Sequence, residues 1–149
     1  MEKGSEDENV IRRRFLRRHP KSKLYASFED FQFYKIGLTG GFLNGGFGKS
    51  YNILREELLI RSPLTSDLAT NELYYLSKVA SLDPQLANLL ANAYSHVKSY
   101  NWELSGIDAS GIDLAQGEHL VRIELDEAAQ DVKGLIAAYK NLLMEIREN

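Results

Sequence analysis

An α+β fold is predicted by three features of the sequence. A loosely alternating apolar block with a glycine-rich return occupies residues 30–53, and apolar residues recur at helical spacing over 86–97 and 132–146. Two short β-like runs lie at 102–108 and 118–125. The chain has 149 residues, room for one ordinary domain or two small ones. The pattern turns helical after Pro63, which divides it into residues 1–62 and residues 63–149.

Taken in order, Ile11 and Phe15 lie four apart and share one stripe of an N-terminal helix that Pro20 must end near residue 18 or 19. In "DFQFYKIGL" (30–38), Phe31, Phe33 and Lys35 alternate with Gln32, Tyr34, Ile36 and Leu38, as in a strand. Thr39-Gly40-Gly41 then reads as a turn and 42–53 as the returning strand. Leu68, Leu73, Leu76 and Val79 mark a helix over roughly 67–80. Asp83-Pro84 reads as an N-cap followed by an N1 proline, with Leu86, Leu89, Leu90, Ala93 and Val97 on the helix it opens. After the two β-like runs, Val132, Leu135, Ile136, Tyr139, Leu142, Leu143 and Ile146 form one continuous stripe of a closing helix.

Composition narrows the class. Hydrophobic content of 44% and charged content of 26% are those of a globular chain, and no apolar run approaches the roughly 20 residues that cross a bilayer. The N-terminus "MEKGSEDENV" is acidic where a secretion signal is basic and then apolar, so the expectation is a cytoplasmic protein with no membrane partner. The absence of cysteine excludes disulfides, zinc ribbons, iron–sulfur clusters and thiol nucleophiles.

Net charge is −3, unevenly spread. Residues 1–23 hold eight Lys/Arg against four acids, +4, and residues 24–149 hold ten against seventeen, −7. The basic segment fits either a phosphate-rich partner or a helix with a solvated cationic face. The second is favoured, because no aromatic interleaving or nucleic-acid motif accompanies the arginines.

The stretch "FLNGGFGKS" (42–50) resembles a phosphate-cradling loop without being one. A P-loop ending in Gly48-Lys49-Ser50 needs glycine at 43, where Leu43 stands, and a dinucleotide fingerprint from Gly46-Phe47-Gly48 needs glycine at 51, where Tyr51 stands. In a strand, Gly45, Gly46 and Gly48 mark a bulge or the close approach of another backbone or a flat ligand. Alternatively, Asn44-Gly45 is itself a tight hairpin turn. "DASGIDLAQGEH" begins like a calcium loop at Asp108 but lacks the acids and the glycine at the required positions, and Asp108 and Asp113 read as turn caps of a Gly-Ile-Asp repeat. His19, His96 and His119 are too far apart in sequence for a metal pair, although a haem iron needs only one axial histidine. No metal site is expected and no catalytic residue is singled out.

These residues add up to a resemblance. "RRRFLRRHPKSKLYASFEDFQFYKIGL" (12–38) followed by "FLNGGFGKS" resembles the later part of the flavin-binding split barrel of the pyridoxamine phosphate oxidase-like superfamily, in its branch of haem-utilisation proteins of the HugZ type. The matching positions are the helix ending in Arg18-His19-Pro20, then Tyr25, Phe28, Asp30-Phe31 and Tyr34, then Asn44-Gly45-Gly46-Phe47-Gly48. "WELSGIDASGIDL" (102–114) and "VRI" (121–123) resemble the small α/β domain that follows the barrel in those proteins.

The resemblance implies the C-terminal part of an antiparallel split β-barrel in residues 1–62, and in 63–149 a small α/β domain with two short strands and amphipathic helices. It implies a homodimer with FMN or haem near the interface, and an FMN-dependent oxidoreductase or haem-degrading oxygenase if the chain is an enzyme. The cofactor-binding candidates are Asn44, Gly45, Gly46, Phe47, Gly48 and Lys49, with Lys49 facing an anionic group of the ligand or standing as an exposed strand-end lysine. Two departures bear on function. Relatives begin with roughly half a barrel more, and they carry a His-Met-Asn-x-Asp-His run where this chain reads "VASLDPQ" (79–85). The alternative function is therefore a dimerising or regulatory module that has lost the cofactor.

Overall fold

The computed structural model describes residues 1–97 and 99–148. Among them are six α-helices and two small antiparallel sheets, one of two strands and one of three. The α+β class is as expected. The described residues form no closed barrel, an arrangement consistent with a partial split barrel followed by a small α/β unit.

Helix α1 (Glu6–Arg18) opens on Ser5, whose side chain accepts from the Glu8 backbone N–H, and it carries acids in its first turn and Arg17 and Arg18 in its last. Both charge sets oppose the helix dipole. His19 ends it, and Pro20–Leu24 form a short 3-10 turn, as the proline requires. Residues 31–39 form no strand, contrary to the alternation in 30–38. The alternation acts through packing instead. Phe31 and Phe33 are half-buried in a ring cluster with Phe15 and Tyr25, at centroid distances of 5.1–5.4 Å, while Tyr34 and Ile36 point to solvent. Among the described residues no strand pairs with this segment, and an extended chain without a partner makes no ladder.

Strands β1 (Gly40–Gly46) and β2 (Lys49–Leu54) follow as a hairpin, and the four-residue helix α2 (Arg55–Leu58) packs on it. Helices α3 (Thr65–Thr70) and α4 (Glu72–Ala80) replace the single helix expected over 67–80, with the break at Asn71. Helix α5 (Leu86–Tyr94) begins two residues later than the Asp83-Pro84 signal, because Asp83 accepts from the Gln85 N–H and forms a turn instead of the cap. It ends at Ser95, whose hydroxyl accepts from the Val97 N–H, so Val97 lies beyond the helix.

The second sheet is β3 (Glu103–Asp108), β4 (Gly111–Gln116) and β5 (His119–Glu124), in the order β3-β4-β5. The middle strand β4 lies between the two expected strands, where the sequence was read as turn chemistry. On one face the paired residues Ile107, Ile112 and Ile123 are buried against α3–α5 and helix α6 (Val132–Glu148), together with Leu68, Val79, Leu90, Leu135 and Tyr139. The buried residues of the main hydrophobic cluster all fall between Leu64 and Leu143. The closing helix buries its stripe as expected through Leu135, Tyr139 and Leu143.

The other face of this sheet is polar and is covered by α1. Pairing places Gly106 opposite Asp113 and Asp108 opposite Gly111, so each aspartate of the Gly-Ile-Asp repeat faces a glycine across the ladder. A Cβ on Gly106 would stand 2.6 Å from Asp113 Oδ2 and 3.2 Å from the Arg18 guanidinium. Glycine here makes room for arginines rather than for a turn. Arg14 reaches Asp108 at 3.0 Å, Arg18 pairs with Asp113, and Arg122 bridges Asp108 (2.8 Å) and Asp113 (3.2 Å). Arg17 pairs with the buried Glu72, which also accepts from the Ile107 N–H at 3.1 Å. The basic helix is therefore not a solvated cationic face, since four of its five arginines are consumed inside the chain, Arg12 by Glu8 and Ala26 and Arg14, Arg17 and Arg18 by the sheet and Glu72.

Burial pushes the Asp108 carboxyl up, but its bonds to Arg122 and to the Ser110 N–H outweigh this and hold it at about 2. The Asp108–Ser110 bonds bear out a turn cap at Asp108, while Asp113 is a strand residue in the arginine cluster. A depressed folded pKa means stability present above the unfolded value near pH 4 and lost as pH falls towards 2. Acid titration followed by circular dichroism should show the expected loss in that window, and Asp108→Asn should make the curve shallower. An unchanged curve in the variant would show that Asp108 is not linked to folding.

Candidate functional site

The segment that carries the cofactor candidates is the β1–β2 hairpin. Its register pairs Gly40 with Leu54, Phe42 with Asn52, Leu43 with Tyr51, Asn44 with Ser50 and Gly46 with Lys49, with a bulge between Asn44 and Gly46. Chain reversal falls at Phe47-Gly48, both left-handed at φ 46° and 74°, the pattern of a two-residue I′ turn. Gly46 is also left-handed (φ 70°), and its N–H donates to the Asn44 side-chain oxygen at 3.0 Å. Thus Gly40 and Gly41 are strand residues rather than part of a turn, and 42–53 is two strands rather than one. Neither expected turn was placed correctly, because three consecutive positive φ angles at 46–48 cannot continue a strand.

All six candidates, Asn44 to Lys49, come together at the hairpin tip and all are exposed. The bulge reading at Gly45 holds within the chain. A Cβ on Gly46 or Gly48 would meet nothing within 4 Å, so these glycines serve backbone conformation, with no close contact in the single chain. Gly41 differs: a Cβ there would stand 3.1 Å from Leu58, which packs α2 onto that face.

Phe47 is the anomaly. A non-glycine residue in the left-handed region costs about 1 kcal/mol, and this one holds its ring wholly in solvent at the tip. Phe47→Gly is expected to stabilise the isolated hairpin by about 1 kcal/mol, read from amide exchange of β1 and β2. Loss of protection in that variant would show that the ring already packs against something in solution.

Both hairpin faces carry exposed apolar side chains, although α2 covers the Gly41 end of one of them. Leu43 and Tyr51 lie on one face, Phe42 and Leu54 on the other, and each is more than half exposed. Tyr34, Ile36 and Ile60, in the segments that flank the hairpin in sequence, are exposed as well. A two-stranded hairpin with two unpaired edges is marginal alone, and its strand edges and apolar side chains are open to pairing or burial.

The other functional expectations scatter. His19 stacks on Phe15 at 4.7 Å, while His96 and His119 are exposed on other elements. Val79 is a core residue and Asp83 pairs with Arg147, so part of the "VASLDPQ" segment has a structural role. Among the described residues no helix is long and apolar enough to cross a membrane. Sequence reasoning missed the cluster of Arg14, Arg17, Arg18 and Arg122 around Glu72, Asp108 and Asp113. The only signal was the coincidence of an arginine-rich helix with two Gly-Ile-Asp repeats.

The chain matches no protein-family profile and no curated protein sequence. It is similar in structure to the protein Atu2129 from Agrobacterium tumefaciens str. C58, of unknown function, with a TM-score of 0.63 and 22% identity. The match covers 92% of this chain and 56% of that one. The likeness shows the fold alone, and this chain spans little more than half of that protein's length.

Proposed function

We propose that this chain is an assembly module of the split-barrel type, similar to the pyridoxamine phosphate oxidase-like haem-utilisation proteins. Its β1–β2 hairpin forms one wall of a site for FMN or haem that a second chain completes. The observation that carries the reading is the open apolar hairpin, exposed on both faces and at both edges, with a strained aromatic tip. Such a surface reaches a stable state only when covered.

Residues 44–49 of one chain do not by themselves fit a flavin or haem. All six residues are exposed, and a Cβ on Gly46 or Gly48 would meet nothing within 4 Å. A cofactor therefore needs atoms from a second surface, and no chemical step is derived through it. In the completed site the cofactor would supply the redox chemistry. This chain would supply the cation of Lys49 to an anionic group and the flat rings of Phe47 and Tyr51.

A second reading, a dimerising or regulatory module without cofactor, is favoured by the structural roles of Val79 and Asp83 where relatives carry a histidine-rich run. Sedimentation, visible absorption and thermal stability with added FMN or haemin separate the two. The leading reading expects a dimer, a flavin or Soret band, and a melting temperature that rises with one ligand by mass action. A dimer with no band and no shift leaves only the second reading. A monodisperse monomer at micromolar concentration contradicts both.

A further inference from the structure

Helices α4 and α6 leave a groove of about 420 Å³ between them, lined by Tyr74, Val132 and Ile136 and by the lysines Lys78, Lys133 and Lys140. Tyr74 and Val132 are 56% and 40% exposed, so apolar surface is open there. On α6, Val132, Ile136 and Lys140 recur at i, i+4 and i+8, so the groove follows about two turns, or about 12 Å of helix. Among the described residues none of the three lysines is in an ion pair. Lys78 only lies over the Tyr74 ring at 5.4 Å. The contrast with Arg14, Arg17, Arg18 and Arg122, all paired with carboxylates, is chemical. In a body of net charge −7 over residues 24–149, three unmatched cations gather around one apolar groove.

We propose that this groove docks an acidic amphipathic helix of a partner protein. The partner's apolar residues at i, i+3 or i+4 and i+7 would lie between α4 and α6, and its carboxylates would meet the three lysines. An apolar floor between two helices is the kind of surface that helix-in-groove recognition uses. Charge selects the occupant. A basic helix would add to three cations in one place, and an uncharged one would crowd the ammonium groups with nothing to pair them. The surface uses no residue of the hairpin, so the failure of either proposal leaves the other standing.

The test is a titration with a synthetic helical peptide carrying leucine on one face and glutamate on the other, against its twin with lysine for glutamate. Fluorescence anisotropy gives affinity and backbone amide shifts give location. The glutamate peptide is expected to bind with shifts at 74–78 and 132–140, and to bind at least about tenfold more tightly than the lysine peptide at low salt. The double variant Lys133→Glu/Lys140→Glu, at exposed positions, should reverse the preference at an unchanged melting temperature. Should charge reversal unsettle the helix, Lys133→Gln/Lys140→Gln should weaken the preference instead, leaving only the part that Lys78 carries. Equal binding of both peptides, no binding of the glutamate peptide, or shifts confined to residues 40–60 would overturn the proposal.

Discussion

Asp113→Ala is expected to destabilise the fold by about 3–5 kcal/mol, the cost of removing one partner from a buried ion-pair cluster. Asp113 is 6% exposed on the middle strand, where Arg18 pairs with it and Arg122 stands at 3.2 Å, with Arg14 at 3.9 Å. Alanine would leave those guanidinium groups, each three-quarters or so buried, facing one another across a glycine-lined face with one counter-charge fewer. The consequence should be regional: α1 loosens from the sheet before the core melts. Urea denaturation gives the magnitude, and amide exchange over residues 6–18 locates the loss. Asp113→Asn, which keeps the shape and loses the charge, should fall between wild type and alanine. Arg18→Met with Asp113→Leu should recover much of the loss, because an apolar pair of similar size carries no desolvation penalty. Unchanged stability in Asp113→Ala would mean that the ring cluster around Phe15 and Phe33, rather than charge, holds α1 in place.

Gly111→Val should cost about 3 kcal/mol and lower the melting temperature by roughly 10 °C, through a different mechanism. The obstacle is steric and rigid. A Cβ at Gly111 would stand 2.5 Å from the Ile123 backbone oxygen and 3.1 Å from the Arg122 guanidinium, and the carbonyl cannot yield without parting β4 from β5. Gly117 is the control. It lies at φ 60° in the turn between those strands with nothing within 4 Å, so Gly117→Ala should meet only backbone strain of about 1 kcal/mol. Melting curves of the two variants separate a close-approach glycine from a conformational one. Equal losses would mean that β5 can shift to admit the side chain.

The same distinction shows which parts of this protein were legible in its sequence. Residues 132–146 were, because an amphipathic stripe depends on local spacing alone, and α1 with its stop at Pro20 was legible for the same reason. The α+β class followed from the order of such local patterns. Residues 30–38 were misleading. Their alternation is real, since Phe31 and Phe33 do turn inward, but a strand needs a neighbour and α1 took that place.

At the hairpin the sequence determined that glycines and Asn44 would break regularity somewhere in 44–48, and the gathering of Asn44 to Lys49 follows from their adjacency. Only the tertiary structure decided where the chain reverses, because either Asn44-Gly45 or Phe47-Gly48 can supply a two-residue turn and the pairing of Leu43 with Tyr51 selects between them. The middle strand β4 and the arginine cluster lay further from view. An aspartate at 113 reads as turn chemistry until Arg18, ninety-five residues earlier, is brought against it. Charge that is buried and matched across so long a separation leaves no periodic trace, so its role is fixed by the fold and not by its neighbours in sequence.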